Sequence, residues 1–531
     1  MSGFQLCGIA VHRGPSPARG PREACRALAG WLAPSGVLIC ALMLSSCAVG
    51  PQYHPPTPAR AAGYSPTPLP EASTFSPAHG GEAQQLIAGR DIEFEWWQAF
   101  RSSALNALID KAFKTNPTIA AAQAALRQAQ EFVYAQRGFF FPALDALDQA
   151  ERHKVAGNNY SSEQPGIQAN GDNLTTNGVN KPLLYTFYTA EVTVGFVPDV
   201  LGSNRRQVES LAAQAEAQRF ALEATYITLA SNVVAAAIQE ASLHAQIAAT
   251  RQIIEAERES LKILREQFRL GFAMRIDVAA QEAALAQIES TLPPLEKALE
   301  QTHDLLRALA GDLPSDETET FDLDALRLPP ELPVSLPAKI IEQRPDVRAA
   351  EAQLRATNAQ VGVAIAAMLP QLSITGALGG NADEIPWLFR TGGTFWSLVG
   401  DVSQPVFTGG TLLHRERAAR AALRLAAAQY QNTVMTAYQN VADTLHATLT
   451  DAEALAADVE AEEAAKVTYN LTRRQMEVGY VNYLTLLAAQ TAYQQALLTR
   501  VQAQAMRYGD TVALFQALGG GWWNRKEVAA R

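Results

Sequence analysis

The architecture of this chain follows from one uninterrupted run, Ser203 to Phe268, which reads SNRRQVESLAAQAEAQRFALEATYITLASNVVAAAIQEASLHAQIAATRQIIEAERESLKILREQF. It contains neither glycine nor proline, the residues that most disfavour helix interiors. A second run of nearly the same length, Thr411 to Val478, also lacks both. As continuous helices each would extend for roughly 100 Å. An ordinary globular domain does not need helices this long.

Both runs carry an apolar repeat of seven residues, which indicates supercoiled helix packing. The repeating positions are Ile247, Ile254, Leu261 and Phe268 in the first run, and Tyr438, Leu445, Ala452 and Val459 in the second. Each run then reaches a glycine, Gly271 or Gly479, after which a second and shorter helical pattern returns. The sequence therefore predicts two long antiparallel helical hairpins.

The same landmarks occur twice along the chain. Two proline pairs, Pro117 with Pro142 and Pro345 with Pro370, have identical spacing. The same two intervals separate the glycines in each half, which are Gly202, Gly271 and Gly311, then Gly410, Gly479 and Gly519. Landmarks in register predict two internal repeats. The first half is longer only between Pro142 and Gly202, in a stretch rich in Gly and Asn that predicts an exposed hairpin tip.

Strand patterns lie between the shorter and the longer helices. Residues 191–196 and 371–375 alternate polar or small with apolar residues, residues 394–407 carry aromatic side chains, and a fourth strand is expected to start near Pro142. Four strands in two hairpins cannot close a barrel. If they span a membrane, several chains must share one barrel.

The N-terminus has the order of a secretory signal. Four arginines precede the mostly apolar stretch from Leu32 to Leu44, which ends in Leu44-Ser45-Ser46-Cys47. Cleavage before Cys47 would allow acylation of its sulfur and its amine, so we expect a protein held at a membrane by lipid, palmitate included. A covalent lipid on Cys47 is the only attached group expected. The alternative is an ordinary signal peptide with a chance cysteine.

Composition removes several other classes of function. The chain carries a net charge of −10 without a basic run, so a nucleic-acid partner is not expected. All four cysteines lie at or before Cys47, which leaves no disulfide framework and no cysteine metal cluster. No run of eighteen apolar residues follows Cys47, so no transmembrane helix is expected. Neither a phosphate-binding loop nor an HExxH motif occurs, and we expect no enzyme, metal site or cofactor.

Together these features resemble the outer membrane factor family, the TolC-like efflux channels, and especially its NodT-type branch of multidrug efflux outer membrane lipoproteins. The match covers residues 47 to about 523. The residues that carry it are Cys47 with Val49-Gly50-Pro51 and Tyr53, Trp96-Trp97 with Phe100, Asn116-Pro117, Gly271, Gly479, and Leu518-Gly519-Gly520-Gly521-Trp522.

The resemblance implies an α+β membrane protein that forms a homotrimer. A twelve-stranded transmembrane β-barrel in the outer membrane would be continuous with a long periplasmic α-helical barrel, and each chain would hold two repeats. The expected segments are a lipoprotein signal peptide at 1–46, a lipidated extended tether at 47–95, a first repeat at 96–313, an equatorial linker at 314–337, a second repeat at 338–523, and a tail at 524–531.

The resemblance also implies a function. The protein would be the outer-membrane channel of a tripartite efflux system and a passive exit duct for drugs or other toxic small molecules. A periplasmic adaptor and an inner-membrane pump of the resistance-nodulation-division type would deliver them. Two alternatives stay open, an exit duct for type I protein secretion and a periplasmic coiled-coil scaffold lipoprotein without a pore. The strand patterns speak against the scaffold.

Two sets of residues follow from the resemblance as candidate sites. Leu270-Gly271-Phe272 and Val478-Gly479-Tyr480 mark the hairpin tips, where the adaptor would dock, although each glycine could equally just end a helix.

Acidic side chains near the inner end of the second long helix constrict channels of this family, which makes Asp443 the candidate periplasmic gate. Three symmetry-related carboxylates would form an anionic ring that favours cations. The alternative is a solvated helix aspartate.

Overall fold

A computed structural model of the protein describes residues 48–56, 63–155, 183–317, 319–335 and 337–525. The predicted lipidation site Cys47 and the predicted hairpin-tip insertion at 156–182 lie outside these residues. The described residues form two units. One holds the segments Pro142–Arg205 and Leu369–Gln404 and is mainly sheet, and the other holds Gly50–Phe141, Arg206–Met368 and Pro405–Arg531 and is mainly helix.

The described residues contain the four predicted strands and the predicted long helices in the expected order, together with two short strands, Gln85–Ala88 and Glu331–Val334, that the sequence does not predict. The strands are β1 (Gln85–Ala88), β2 (Ala143–Val155), β3 (Leu183–Phe196), β4 (Glu331–Val334), β5 (Gln371–Ala382) and β6 (Thr394–Ser403). The helices are α1 (Ser103–Thr115), α2 (Pro117–Gly138), α3 (Ser203–Arg269), α4 (Arg275–Glu289), α5 (Leu292–Ala310), α6 (Pro337–Gln343), α7 (Pro345–Ala366), α8 (Thr411–Glu477) and α9 (Tyr483–Ala517).

The first unit contains one antiparallel sheet of four strands in the order β2-β3-β5-β6. The predicted four strands in two hairpins are confirmed, and the pairing of β3 with β5 joins the two hairpins. Their lengths of 13, 14, 12 and 10 residues each reach the nine to eleven residues that a tilted strand needs to cross a bilayer. Within the described residues the sheet is open, with β2 and β6 at its edges.

The two long helices of the second unit are unbroken. Helices α3 and α8 have 67 residues each, which confirms the prediction from the two runs without glycine and proline. Helix α8 packs against α7 and α9 and buries one stripe, including Val434, Val441 and Leu455, spaced by multiples of seven.

Helix α3 is long and apolar enough to cross a membrane by composition, but most of its apolar window is buried inside the protein, as in a core helix.

One prediction about the hairpins is wrong. The return run of the second hairpin is the single 35-residue helix α9, but that of the first is broken into α4 and α5 at Ser290 and Thr291. Pro293 and Pro294 follow immediately, in the first turn of α5. Proline lacks the N–H that an α-helix requires and its ring clashes with the carbonyl four residues earlier, so α4 cannot continue through this point.

The register of the first hairpin is marked by a ladder of exposed ion pairs between α3 and the returning helices. Arginine occurs every seventh residue on α3, and glutamate every seventh residue in the opposite direction on α4 and α5. The N–O distances are 2.7 Å for Arg251–Glu296, 2.8 Å for Arg258–Glu289 and 2.9 Å for Arg265–Glu282. Because exposed pairs add little stability, the ladder mainly fixes how the two arms align.

The segment predicted as an extended tether contributes to the core of the second unit. Strand β1 pairs in parallel with β4, although these strands are far apart in sequence. The buried guanidinium of Arg507 on α9 donates hydrogen bonds to the carbonyls of Gly80 and Glu82. Next along the chain, Trp96 is buried and stacks on Phe515 with ring centroids 5.1 Å apart. The ordered segment thus ties the N-terminal part of the chain to α9.

Candidate membrane-facing sheet and docking tips

The open sheet has one apolar face. Alternate residues of a strand share a face, and the register places Leu144, Val194, Gly376 and Leu398 side by side across the four strands. Other large apolar side chains of this face include Leu184, Val192, Ile374, Leu378, Trp396 and Val402, and all six are exposed. Strand β2 departs from the pattern with Asp148, Arg152 and Lys154. So large an uncovered apolar surface marks a contact with a partner or with lipid.

The opposite face of the same sheet is mainly polar. Its members include Asp145, Gln149, Glu191, Thr193, Thr375, Asn381, Ser397 and Asp401. The large apolar or aromatic exceptions on this face include Leu147, Tyr185, Phe187, Phe395 and Val399. A sheet with one apolar face and one polar face, both exposed, is the pattern of transmembrane strands that meet lipid outside and water inside.

The predicted docking tips are two helix ends with the same backbone geometry. Gly271 and Gly479 have φ values of +85° and +84°, in the left-handed region that glycine adopts without strain. After α3, the Phe272 N–H donates to the carbonyl of Gln267 at 2.8 Å; after α8, the Tyr480 N–H donates to that of Gln475 at 2.9 Å. This six-to-one hydrogen bond is the Schellman motif that ends helices at glycine.

The side chains of both tips project into solvent. Phe272 is 83% exposed and Tyr480 is 84% exposed, and Leu270 and Val478 are also largely exposed. No atom lies within 4 Å of the position where a Cβ on either glycine would stand. Each tip thus presents to solvent an apolar residue before the glycine and an aromatic residue after it.

The two hairpins are linked behind their tips by a buried polar network. The Tyr483 hydroxyl of α9 donates to the Gln281 side chain of α4 at 2.6 Å. The buried carboxylate of Glu257 on α3 accepts hydrogen bonds from the amides of Gln281, Gln490 and Gln494. The network holds the hairpins in one arrangement, so the two tips form a single composite surface. Sequence reasoning missed these residues, because polar side chains on helices carry no signal of burial.

The structure corrects the predicted position of the gate residue. Asp443 lies at the middle of α8, and Gly479 stands roughly 54 Å farther along the helix axis. The expectation that it stands near the end of the helix is therefore wrong. Its carboxylate is exposed and accepts a hydrogen bond from the Gln439 side chain at 3.3 Å. Asp443 is thus available to line a channel, and its role as a gate stays a prediction.

Comparison with known proteins gives consistent matches along the chain. A family model described as outer membrane efflux protein matches residues 108–312 and 336–520, more than half of the chain. The toluene efflux pump outer membrane protein TtgC of Pseudomonas putida is 26% identical over 489 residues, which cover 92% of this chain and 95% of that protein. The pyoverdine export outer membrane protein OpmQ of Pseudomonas putida is 26% identical over 461 residues, covering 86% and 94%. The outer-membrane channel OprN has a similar structure, with a TM-score of 0.77, 25% identity, and coverage of 90% of this chain and 100% of that one.

Proposed function

Because the chain belongs to the outer membrane efflux protein family and is an outer-membrane channel for efflux, we propose that three copies share one twelve-stranded barrel. The single observation that carries this proposal is the sheet with an apolar face and a polar face. An open four-stranded sheet exposes two edges, and unpaired backbone groups are not tolerated in lipid. Strands β2 and β6 of neighbouring copies would pair and remove both edges.

The trimer would give substrates an aqueous path lined by the polar face of the sheet. Asp145, Glu191 and Asp401 on this face would make the interior of the barrel electronegative. The named cargoes of two relatives, toluene and pyoverdine, differ greatly in size and polarity. A passive duct for chemically diverse small molecules accounts for both, with energy and selectivity supplied by an inner-membrane pump of the resistance-nodulation-division type and its adaptor.

A lipid on Cys47 would add an anchor in the outer membrane. Two contacts support an ordered entry of the chain after this cysteine. The Asn358 side chain on α7 donates to the carbonyl of Pro51 at 3.1 Å, and a Cβ on Gly50 would lie 2.5 Å from the Cα of Gly362. Cys47→Ser should abolish incorporation of radiolabelled palmitate, and retained label would contradict lipidation at this position.

A pair of matched variants tests the barrel. Leu398→Arg places a charge on the apolar face, and Ser397→Arg places the same charge on the polar face of the same strand. In lipid the first should cost about 2–4 kcal/mol at the bilayer midplane, and the second should cost little. We expect Leu398→Arg to lose trimers from the outer membrane, as judged by native mass and membrane fractionation, and Ser397→Arg to assemble with altered conductance. Equal assembly of the two variants would contradict a membrane-spanning sheet.

Docking of the adaptor is assigned to the composite surface of the two tips. Phe272→Glu with Tyr480→Glu changes only highly exposed side chains, so the trimer should form normally. Crosslinking to the adaptor should fall and drug accumulation in cells should rise. Phe75→Glu, at a residue that is 65% exposed and distant in sequence from the tips, is the matched control. Unchanged crosslinking in the tip variant would overturn the assignment.

The gate assignment of Asp443 is tested separately. Three carboxylates at a constriction would narrow the path, repel anions and favour cations. Asp443→Ala should therefore raise single-channel conductance in planar bilayers and reduce cation preference. Glu453→Ala, at an exposed carboxylate of α8, controls for a general loss of charge. Unchanged conductance and ion selectivity would remove Asp443 from the gate.

A further inference from the structure

A carboxylate and two imidazoles converge inside the helical unit. Glu240 and His244 lie one turn apart on α3, and His303 on α5 approaches both. Glu240 Oε1 lies 2.9 Å from His244 Nε2 and 3.1 Å from His303 Nε2. One ligand-type atom from each of the three residues lies within 4.8 Å of the other two. The fold thus unites groups from two different helices of the first hairpin.

The cluster is shielded from solvent where the three side chains meet. Glu240 is fully buried and the side chain of His303 is 12% exposed. The ring of His244 is partly exposed, but its Nε2 is buried and makes no hydrogen bond within the described residues, despite its short distance from Glu240. The Glu240 carboxylate is thus the nearest charged group to this nitrogen, at a distance of 2.9 Å but without hydrogen-bond alignment. A buried polar atom without a well-aligned hydrogen bond is a place where an ion or a water molecule is expected.

Neighbouring groups contact two of the three side chains, Glu240 and His303. Glu240 Oε2 accepts a hydrogen bond from the Phe321 N–H at 2.8 Å, which leaves Oε1 to face both imidazoles. On the far side of His303, its Nδ1 lies 3.8 Å from Glu300 Oε2. This distance is that of an ion pair and not of a hydrogen bond, but it places a carboxylate behind the non-binding nitrogen, where metal sites often have one.

We propose that Glu240, His244 and His303 bind one divalent transition-metal ion, with Zn²⁺ as the reference ion. Two imidazole nitrogens and one carboxylate oxygen form a donor set used for zinc, and a water molecule would complete a tetrahedral site. Tetrahedral coordination at the usual bond lengths separates ligand atoms by about 3.4 Å. The observed 2.9 and 3.1 Å from Glu240 are close to this value, and the ligand atoms of the two histidines lie within 4.8 Å of each other.

A metal at this position would join three parts of the helical unit. It would connect α3 to α5 directly, and it would hold the segment around Phe321 through the second oxygen of Glu240. The bound ion would stabilise the folded chain by the free energy of its binding. This role is independent of transport through the channel, so a failure of the barrel proposal would leave the metal site standing, and the converse is also true.

The test uses the full-length mature protein, purified without a histidine tag and stripped with a chelator. After dialysis against Zn²⁺, bound metal is counted by mass spectrometry and the unfolding midpoint is measured with and without the ion. We expect one Zn²⁺ per chain and a raised midpoint. His244→Gln and His303→Gln should each weaken Zn²⁺ binding by about 100-fold or more, because even loss of an outer-shell partner costs 10–100-fold.

Two controls keep the test decisive. His446→Gln changes an exposed histidine of α8 and should leave Zn²⁺ binding unchanged. His244→Gln replaces a ring that is 41% exposed, so its metal-free unfolding midpoint should stay close to that of the parent protein. Zinc binding that persists in the His244→Gln, His303→Gln double variant, or a parent protein that binds no zinc, would overturn the proposal.

Discussion

Replacement of Gly311 by alanine isolates the contribution of a single close contact to the stability of the helical unit. Gly311 follows α5 with φ of +79°, and a Cβ there would lie 2.9 Å from the carbonyl oxygen of Thr115. Alanine in the left-handed region costs roughly 1–2 kcal/mol. Overpacking against a backbone atom that cannot rotate away adds about 1–3 kcal/mol.

The matched variant is Gly271→Ala at the hairpin tip. Gly271 has φ of +85°, and no atom lies within 4 Å of the position where its Cβ would stand, so alanine there carries only the backbone cost. Gly519 repeats the situation of Gly311, with φ of +94° and 2.9 Å between its Cβ position and the carbonyl oxygen of Gln343. Gly311→Ala and Gly519→Ala should therefore be less stable than Gly271→Ala by about 1–3 kcal/mol.

The assay compares denaturant midpoints of the three variants and the parent protein in one detergent. A change in midpoint at constant slope reports stability alone. We expect the parent to be most stable, Gly271→Ala intermediate, and the other two variants lowest and similar to each other. Equal midpoints for all three variants would refute the reasoning, since the contacts at Thr115 and Gln343 would then contribute nothing.

Three further predictions concern buried polar groups. Glu257→Gln should lower stability by about 2–3 kcal/mol, because it removes a charged acceptor of hydrogen bonds from three glutamines; the exposed Glu255→Gln should change the unfolding midpoint little. Burial, with a hydrogen bond to Asp451, raises the pKa of Asp510 to about 7. The folded chain therefore keeps a proton that the unfolded chain loses near pH 4, so stability falls between about pH 4 and 7, and Asp510→Asn should flatten this part of the midpoint–pH curve. Arg507→Met should speed limited proteolysis within residues 63–90, because two backbone carbonyls lose their donor; an unchanged rate would show that this anchor is dispensable.

The sequence predicts some features of the fold directly, and it also contains signals for two further features, the break after α4 and the register of the first hairpin. The two 67-residue helices and the four long strands follow from uninterrupted local patterns, and both predictions are confirmed. The break after α4 was also signalled, by the adjacent prolines at 293 and 294. The seven-residue spacing of Arg251, Arg258 and Arg265 against three glutamates running the other way encodes the hairpin register.

Other features left no readable trace. The predicted tether contains β1, whose partner β4 comes only after the whole first hairpin, and the short β1 carries no strong strand pattern of its own. The central position of Asp443 on α8, by contrast, already follows from the bounds of the run without glycine and proline. The tips were located by their glycines, but the link between them through Tyr483 and Gln281 depends on how the two hairpins pack.

The difference between the features that the sequence predicts and those that it does not has a physical cause. Helix length, helix ends and the two faces of the sheet are set by backbone preferences and side-chain periodicity, which are properties of neighbouring residues and stand in the sequence. The pairing of β1 with β4, the burial of Glu257 and the meeting of Glu240 with His303 arise when distant elements pack. These three features depend on contacts between residues that are far apart in the sequence. Only the folded chain brings such residues together, so the tertiary structure decides them.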